Sequence, residues 1–187
     1  MNNLLQNKRV AILATDGFEQ SELDGPREAL QSVGASVAIV SLKPGTIQGM
    51  NHMEKGDAVS VDATLDDAEP EDYDALVIPG GLYNPDTLRS TPEAVEFVRA
   101  FGRAGKPISA ICHGPWLLLE ADLVRDRRVT SWPAIQTDLR NAGAEWVDEE
   151  VVVDNGLVTS RKPDDIPAFN RKMVEEISEG RHAPAAA

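Results

Sequence analysis

Three short segments carry residue types that could do covalent chemistry. "ISAICHGPW", residues 108–116, places the chain's only cysteine, Cys112, after an apolar run and directly before His113 and a Gly-Pro turn. A strand that breaks sharply into a helix presents the residue at the bend to solvent, as the nucleophile elbow of hydrolases does with serine. Here that residue is Cys112. The helix beyond it directs free amide groups and a positive dipole end towards the sulfur, which predicts a lowered thiol pKa. "DALVIPGG", residues 74–81, ends in Gly80 and Gly81, whose N–H groups can approach a carbonyl oxygen because no Cβ intervenes. An oxyanion hole is expected there. "DGFEQSEL", residues 16–23, carries Glu19 on the loop after the first apolar run. Adjacent side chains at an elbow diverge, so His113 need not come within the ~3 Å reach that a general base requires of the sulfur.

For these loops to meet, the elements between them must form one sheet. "RVAILA" (9–14), "SVAIVSL" (36–42), "ALVIP" (75–79) and "KPISAI" (106–111) are continuously apolar runs of strand length. They alternate with helical stretches over about 21–33, ended by Gly34, and over 90–105, where Ala94, Val95, Phe97, Val98 and Phe101 share one face. Residues 45–62 read as an irregular hairpin excursion. A short helix over about 114–121, a strand near "RVTSW" (128–132), a helix over about 134–142 and a hairpin turning at Asn155-Gly156 follow. Ile166, Phe169, Met173 and Ile177 give the last helix an apolar stripe. Buried strands alternating with helices predict a three-layer α/β sandwich with a mainly parallel sheet and helices on both faces. In such sheets the loops at the carboxyl ends of the strands line one crevice, which brings Glu19, Gly80-Gly81 and Cys112 together.

Composition narrows the partners. Against 18 Lys and Arg stand 31 Asp and Glu, a formal charge of −13, so phosphate backbones and acidic membranes should be repelled. Neither a nucleic-acid nor a membrane partner is expected. His52 lies in the polar excursion and His182 in the segment 180–187, which reads as a loose tail; both suit the surface. With no CxxC, HExxH or P-loop pattern, neither a metal nor a cofactor is expected. One cysteine allows no internal disulfide, and "MNNLLQNKR" lacks the pattern of a signal peptide, so a cytoplasmic, single-domain protein is expected over 1–187, with its core at about 9–179.

The segments "DGFEQSEL", "DALVIPGG", "NPDTLR", "ISAICHGPWLL", "TSWPAIQTDLRNAGAEWVDEEVVVD" and "LVTSRKPDD", in that order, resemble the ThiJ/PfpI superfamily. That superfamily includes PfpI-type intracellular proteases, general stress proteins and the parkinsonism-associated protein deglycase. The resemblance is closest to the PfpI branch. It implies a flavodoxin-like sandwich and a homodimer able to assemble further into a hexamer. By motif, Cys112 matches the nucleophile, His113 the histidine after it, and Glu19 the acid whose protonated carboxyl hydrogen-bonds the sulfur. Asp86 takes the place of the carboxylate that orients the histidine from the adjacent subunit, one methylene shorter than the Glu of some relatives. Tyr83, Trp116 and Trp132 would flank the crevice as substrate-binding residues. Glutamine amidotransferases of similar fold need a late His-x-Glu pair, which this chain lacks. The function implied is attack on a reactive aldehyde, a glycated protein or a peptide. The alternative is an oxidative-stress sensor or chaperone that uses Cys112 oxidation without turnover.

Overall fold

The computed structural model describes residues 3–183. In chain order the elements are β1 (Arg9–Leu13), β2 (Phe18–Glu19), α1 (Gln20–Ser32), β3 (Ser36–Ser41), β4 (Thr46–Asn51), β5 (Glu54–Ser60) and β6 (Ala63–Thr64). Next come β7 (Ala75–Ile78), α2 (Tyr83–Arg89), α3 (Pro92–Arg103), β8 (Ile108–Ile111), α4 (Pro115–Glu120) and β9 (Arg128–Val129). The chain ends with α5 (Gln136–Asn141), β10 (Glu145–Trp146), β11 (Val151–Asp154), β12 (Leu157–Ser160) and α6 (Ile166–Glu179). Seven strands form the central sheet in the order β11-β12-β8-β7-β1-β3-β6, parallel throughout except for the β11/β12 hairpin.

The period of two along each strand divides the core. Val10, Ile12 and Val77 face α1 and α6 and pack with Leu23, Leu30, Phe169 and Met173. Ala11, Leu13, Leu76 and Ile78 face the other way, onto Phe97, Phe101, Leu117 and Leu118 of α3 and α4. Burial on both faces explains why these strands are continuously apolar, each large side chain contributing about 1.5–3 kcal/mol. Helix α1 stops at Gly34, whose φ of +96° suits a residue without Cβ. There Ala35 N–H reaches back to Leu30 O and Gly34 N–H to Gln31 O, satisfying the last carbonyls.

Several elements differ from the sequence expectation. The polar hairpin β4/β5 exists and recruits Phe18 and Glu19 as a third strand. "NPDTLR", given no element from sequence, lies in α2. The strand near 128–132 shrinks to two residues paired with β10, outside the main sheet. There Trp132 gives its N–H to Cys112 O at 2.8 Å and Pro133 has none to give. The helix at 134–142 is shortened to α5 by a 3₁₀ turn over Pro133–Ile135. The tail begins anchored rather than loose: His182 N–H donates to Gly105 O at 2.8 Å, and its Nε2 lies 3.2 Å from Glu176 Oε2. Residues 184–187 of that tail lie outside the described residues.

Winding reverses at β1, which pairs with β3 on one side and β7 on the other. A crevice opens beyond the carboxyl ends of strands at such a reversal. The ends of β1, β7 and β8 bring Thr15, Gly80 and Cys112 to it.

Candidate active site

Cys112 directly follows β8 and has φ of +63°, a left-handed conformation uncommon for a residue with a side chain. Two hydrogen bonds hold it there: its N–H donates to Ser160 O at 3.0 Å, and its carbonyl accepts from Trp132 N–H at 2.8 Å. Gly114 N–H closes the bend on Ile111 O at 2.9 Å. Any Cβ on Gly114 would come within 2.7 Å of Ile78 O, so the turn admits only glycine. The bend also removes the alternation of side-chain direction found in a strand. Contrary to the expected divergence, His113 Nδ1 lies 3.2 Å from Cys112 Sγ.

The acid beside the sulfur is Glu22, one helical turn beyond Glu19. Glu22 is fully buried; its Oε2 accepts Gly80 N–H at 2.9 Å, and its carboxyl faces the Cys112 thiol. Glu19 turns away, its Oε2 accepting the N–H of His52 in the β4/β5 turn at 3.0 Å. The physical reason is helical phase. Residues 22, 26 and 30 lie on the inward stripe of α1, with Pro26 and Leu30 buried, whereas Glu19 precedes the helix as a residue of β2. A charged residue in register with that stripe was the sequence signal for Glu22.

Burial is the main reason that Glu22 is pushed up to about 8, with the Glu19 charge adding to it and the Gly80 and Gly81 N–H groups opposing it. Burial likewise pushes the Cys112 thiol up, with the Glu22 charge second. This reverses the lowering expected from a helix end: Cys112 is only 7% exposed, and α4 has just six residues. Each group's negative charge opposes the other's, so the pair gives up one proton long before the second and shares the one that remains. The N–H groups of Gly81 and His113 face the sulfur and favour its anion. Of the two N–H groups expected to form an oxyanion hole, that of Gly80 goes to Glu22, whereas that of Gly81 lies towards both Glu22 and the sulfur.

Burial pulls the His113 pKa down, so the imidazole is neutral near neutral pH. Its ring stacks on Trp132 (centroids 5.9 Å apart, planes 24° apart) and lies 5.1 Å from the Trp116 ring. Trp116 Nε1 donates to Asp138 Oδ2 at 2.9 Å, while the Arg89 guanidinium covers its face at 5.0 Å. Tyr83 is 68% exposed at the start of α2, with its Cβ against Gly17. Asp86 is exposed on the next turn, and among the described residues no carboxylate of this chain is hydrogen-bonded to His113. Asn84, which sequence reasoning passed over, is fully buried between the loops that follow β1 and β7. At the opposite end of the sheet, Glu176, Glu179 and His182 bring potential ligand atoms within 4.8 Å of one another. Among the described residues no helix is long and apolar enough to cross a membrane.

A strained cysteine at a parallel-sheet elbow, backed by a buried glutamic acid and followed by histidine, defines the class of the protein. Residues 8–176 match the DJ-1/PfpI family, and the chain belongs to that family. Among its relatives is an Escherichia coli protein named protein/nucleic acid deglycase 2, 46% identical over 171 residues that span 90% of this chain and 96% of that one. General stress protein 18 of Bacillus subtilis is 45% identical over 170 residues, 89% of this chain and 96% of its own. A solved two-domain protein of Anabaena variabilis, with DJ-1/ThiJ/PfpI-like and ferritin-like domains, superposes with a TM-score of 0.86 at 35% identity. The alignment covers 91% of this chain but 48% of that longer one.

Proposed function

We propose that this chain is a cysteine-dependent enzyme that acts on reactive aldehydes or on their adducts with proteins. The observation that carries this reading is the Glu22–Cys112–His113 cluster, in which a fully buried carboxyl, an imidazole nitrogen at 3.2 Å and two backbone donors surround a single sulfur. In the proposed reaction with methylglyoxal, Sγ adds to the aldehyde carbon and the Gly81 and His113 N–H groups stabilise the alkoxide. His113 takes the proton from that carbon, and reprotonation of the neighbouring carbon gives a thioester, which water cleaves to lactate. The sum is methylglyoxal plus water to lactate, an internal redox change that consumes no cofactor. The deglycase name of one relative supports this chemistry, while another relative, of Bacillus subtilis, is named a putative cysteine protease, so peptide hydrolysis is the second activity to assay.

The same reading takes the working form as a homodimer, able to assemble into a hexamer, in which Asp86 of the adjacent subunit orients His113. Two features support it. Exposed Leu82 and Tyr83 sit beside Asp86 at the rim of the crevice, and the imidazole lacks an orienting carboxylate of its own among the described residues. Methylglyoxal consumption by wild type and Cys112→Ser, with D- and L-lactate measured as product, tests the function. Turnover is expected in wild type and a loss of about 10³-fold or more in the mutant. No turnover by folded wild type would overturn the reading and favour an oxidant sensor or chaperone.

A further inference from the structure

Asn84 makes three buried hydrogen bonds, all to backbone. Its Oδ1 accepts Thr15 N–H at 2.7 Å, and its Nδ2 donates to Pro79 O at 3.0 Å and to Gly80 O at 3.1 Å. Those two carbonyls belong to consecutive peptide groups. A trans peptide is planar and points its C=O and N–H in opposite directions. Holding Pro79 O therefore aims Gly80 N–H, and holding Gly80 O aims Gly81 N–H. The first of these meets Glu22 Oε2 at 2.9 Å, and the second lies towards the Cys112 sulfur and the Glu22 carboxyl. Glu19 N–H also reaches Gly80 O, at a longer 3.4 Å, and glycine at both positions adds no Cβ restriction on the peptides. A Cβ is also excluded at Gly80, where it would lie 2.5 Å from Glu22 Oε2 and 2.6 Å from Cys112 Cβ.

We infer that Asn84 is a positioning residue of the reaction centre: one side-chain amide clamps two successive carbonyls so that the opposite N–H groups present themselves to the acid and to the nucleophile. The role rests on the proposed use of Cys112 as nucleophile. Thr15, held by the other end of the amide, ties this clamp to the end of β1, so the orientation is referred to the rigid sheet rather than to the loop. The side chain must supply two donors and one acceptor at once, and of the similarly sized side chains aspartate supplies only acceptors and leucine neither.

Asn84→Asp keeps the acceptor for Thr15 and loses both donors, while Asn84→Ala removes all three bonds without adding charge. Both are compared with wild type by iodoacetamide labelling of Cys112 across pH, by methylglyoxal kinetics and by urea unfolding. In folded protein, each variant is expected to move the labelling midpoint to higher pH and to lower kcat about tenfold to a hundredfold, with KM within about threefold. A folded variant with the wild-type midpoint overturns the inference. Labelling reads the clamp even if methylglyoxal is not turned over, so failure of the function and failure of this role are distinguishable. If neither variant folds, nitrogen-15 spectra of wild type decide. Slow exchange of the Asn84 side-chain amide protons, and their displacement together with the Gly81 amide on labelling Cys112, are expected; exchange as fast as at exposed Asn51 contradicts the clamp.

Discussion

At the scale of single residues, the site turns on which carboxyl shares a proton with Cys112. The motif "DGFEQSEL" was legible as part of the site, but the choice between its two glutamates was not, because that depends on where α1 begins. Once Gln20 opens the helix, Glu22 falls on the stripe of Pro26 and Leu30, and Glu19 is left to accept from His52. Cys112 and His113 were legible by type, whereas the thiol's environment was not, since burial outweighs the helix end. Glu22 also makes stability depend on pH. Its pKa rises from 4.5 to about 8 on folding, so between those values the folded protein holds a proton that the unfolded chain has released. Stability therefore falls as pH rises through that interval and levels off above it. Relative to Glu22→Gln, which keeps an acceptor for Gly80 N–H, wild type is expected to lose on the order of 3–5 kcal/mol between pH 5 and pH 8.5, at about 1.4 kcal/mol per unit. Urea unfolding at several pH values measures this. A constant difference would mean that Glu22 titrates normally.

Elements were legible where burial fixes the pattern. β1, β3, β7 and β8 are largely buried and appear as apolar runs, Gly34 marks the end of α1 before β3, and Asn155-Gly156 marks the turn of the β11/β12 hairpin. Helix α2 was not legible, because seven residues containing a proline and several polar groups give no periodicity to read. Yet α2 supplies Asn84, and with it the orientation of the Gly80-Gly81 loop. That loop and the elbow pack so closely that the new methyl of Gly80→Ala would lie 2.5 Å from Glu22 Oε2, 2.6 Å from Cys112 Cβ and 2.9 Å from Ile111 O, all of which must give way. The expected cost is about 1–3 kcal/mol in urea unfolding, and an unchanged midpoint would contradict this packing.

At the scale of the whole molecule, the sheet order places the reversal at β1 next to β7 and β8, so the two loops that carry the chemistry are neighbours in space. The alternation of apolar runs and helices made that architecture legible. Assembly was not, because an acidic chain of formal charge −13 reveals nothing about which faces meet. The proposed shared site has a direct consequence. In the assembled protein, Asp86→Ala is expected to lower kcat about tenfold or more while leaving subunit association unchanged, as read by steady-state kinetics beside analytical ultracentrifugation. An assembled variant with wild-type kcat would remove Asp86 from the site.

The claim on which the rest depends is that Glu22, rather than Glu19, shares its proton with Cys112. Iodoacetamide labelling of Cys112 against pH in wild type, Glu22→Gln and Glu19→Gln tests it most directly. Wild type is expected to show a step where the pair gives up its first proton. In Glu22→Gln the thiol must lose its own proton without a carboxylate to take it, so the midpoint moves higher. In Glu19→Gln a charge that raises the Glu22 pKa is gone, so the step moves slightly lower. Coincidence of the Glu22→Gln and wild-type profiles, or a larger displacement in Glu19→Gln, would contradict the account.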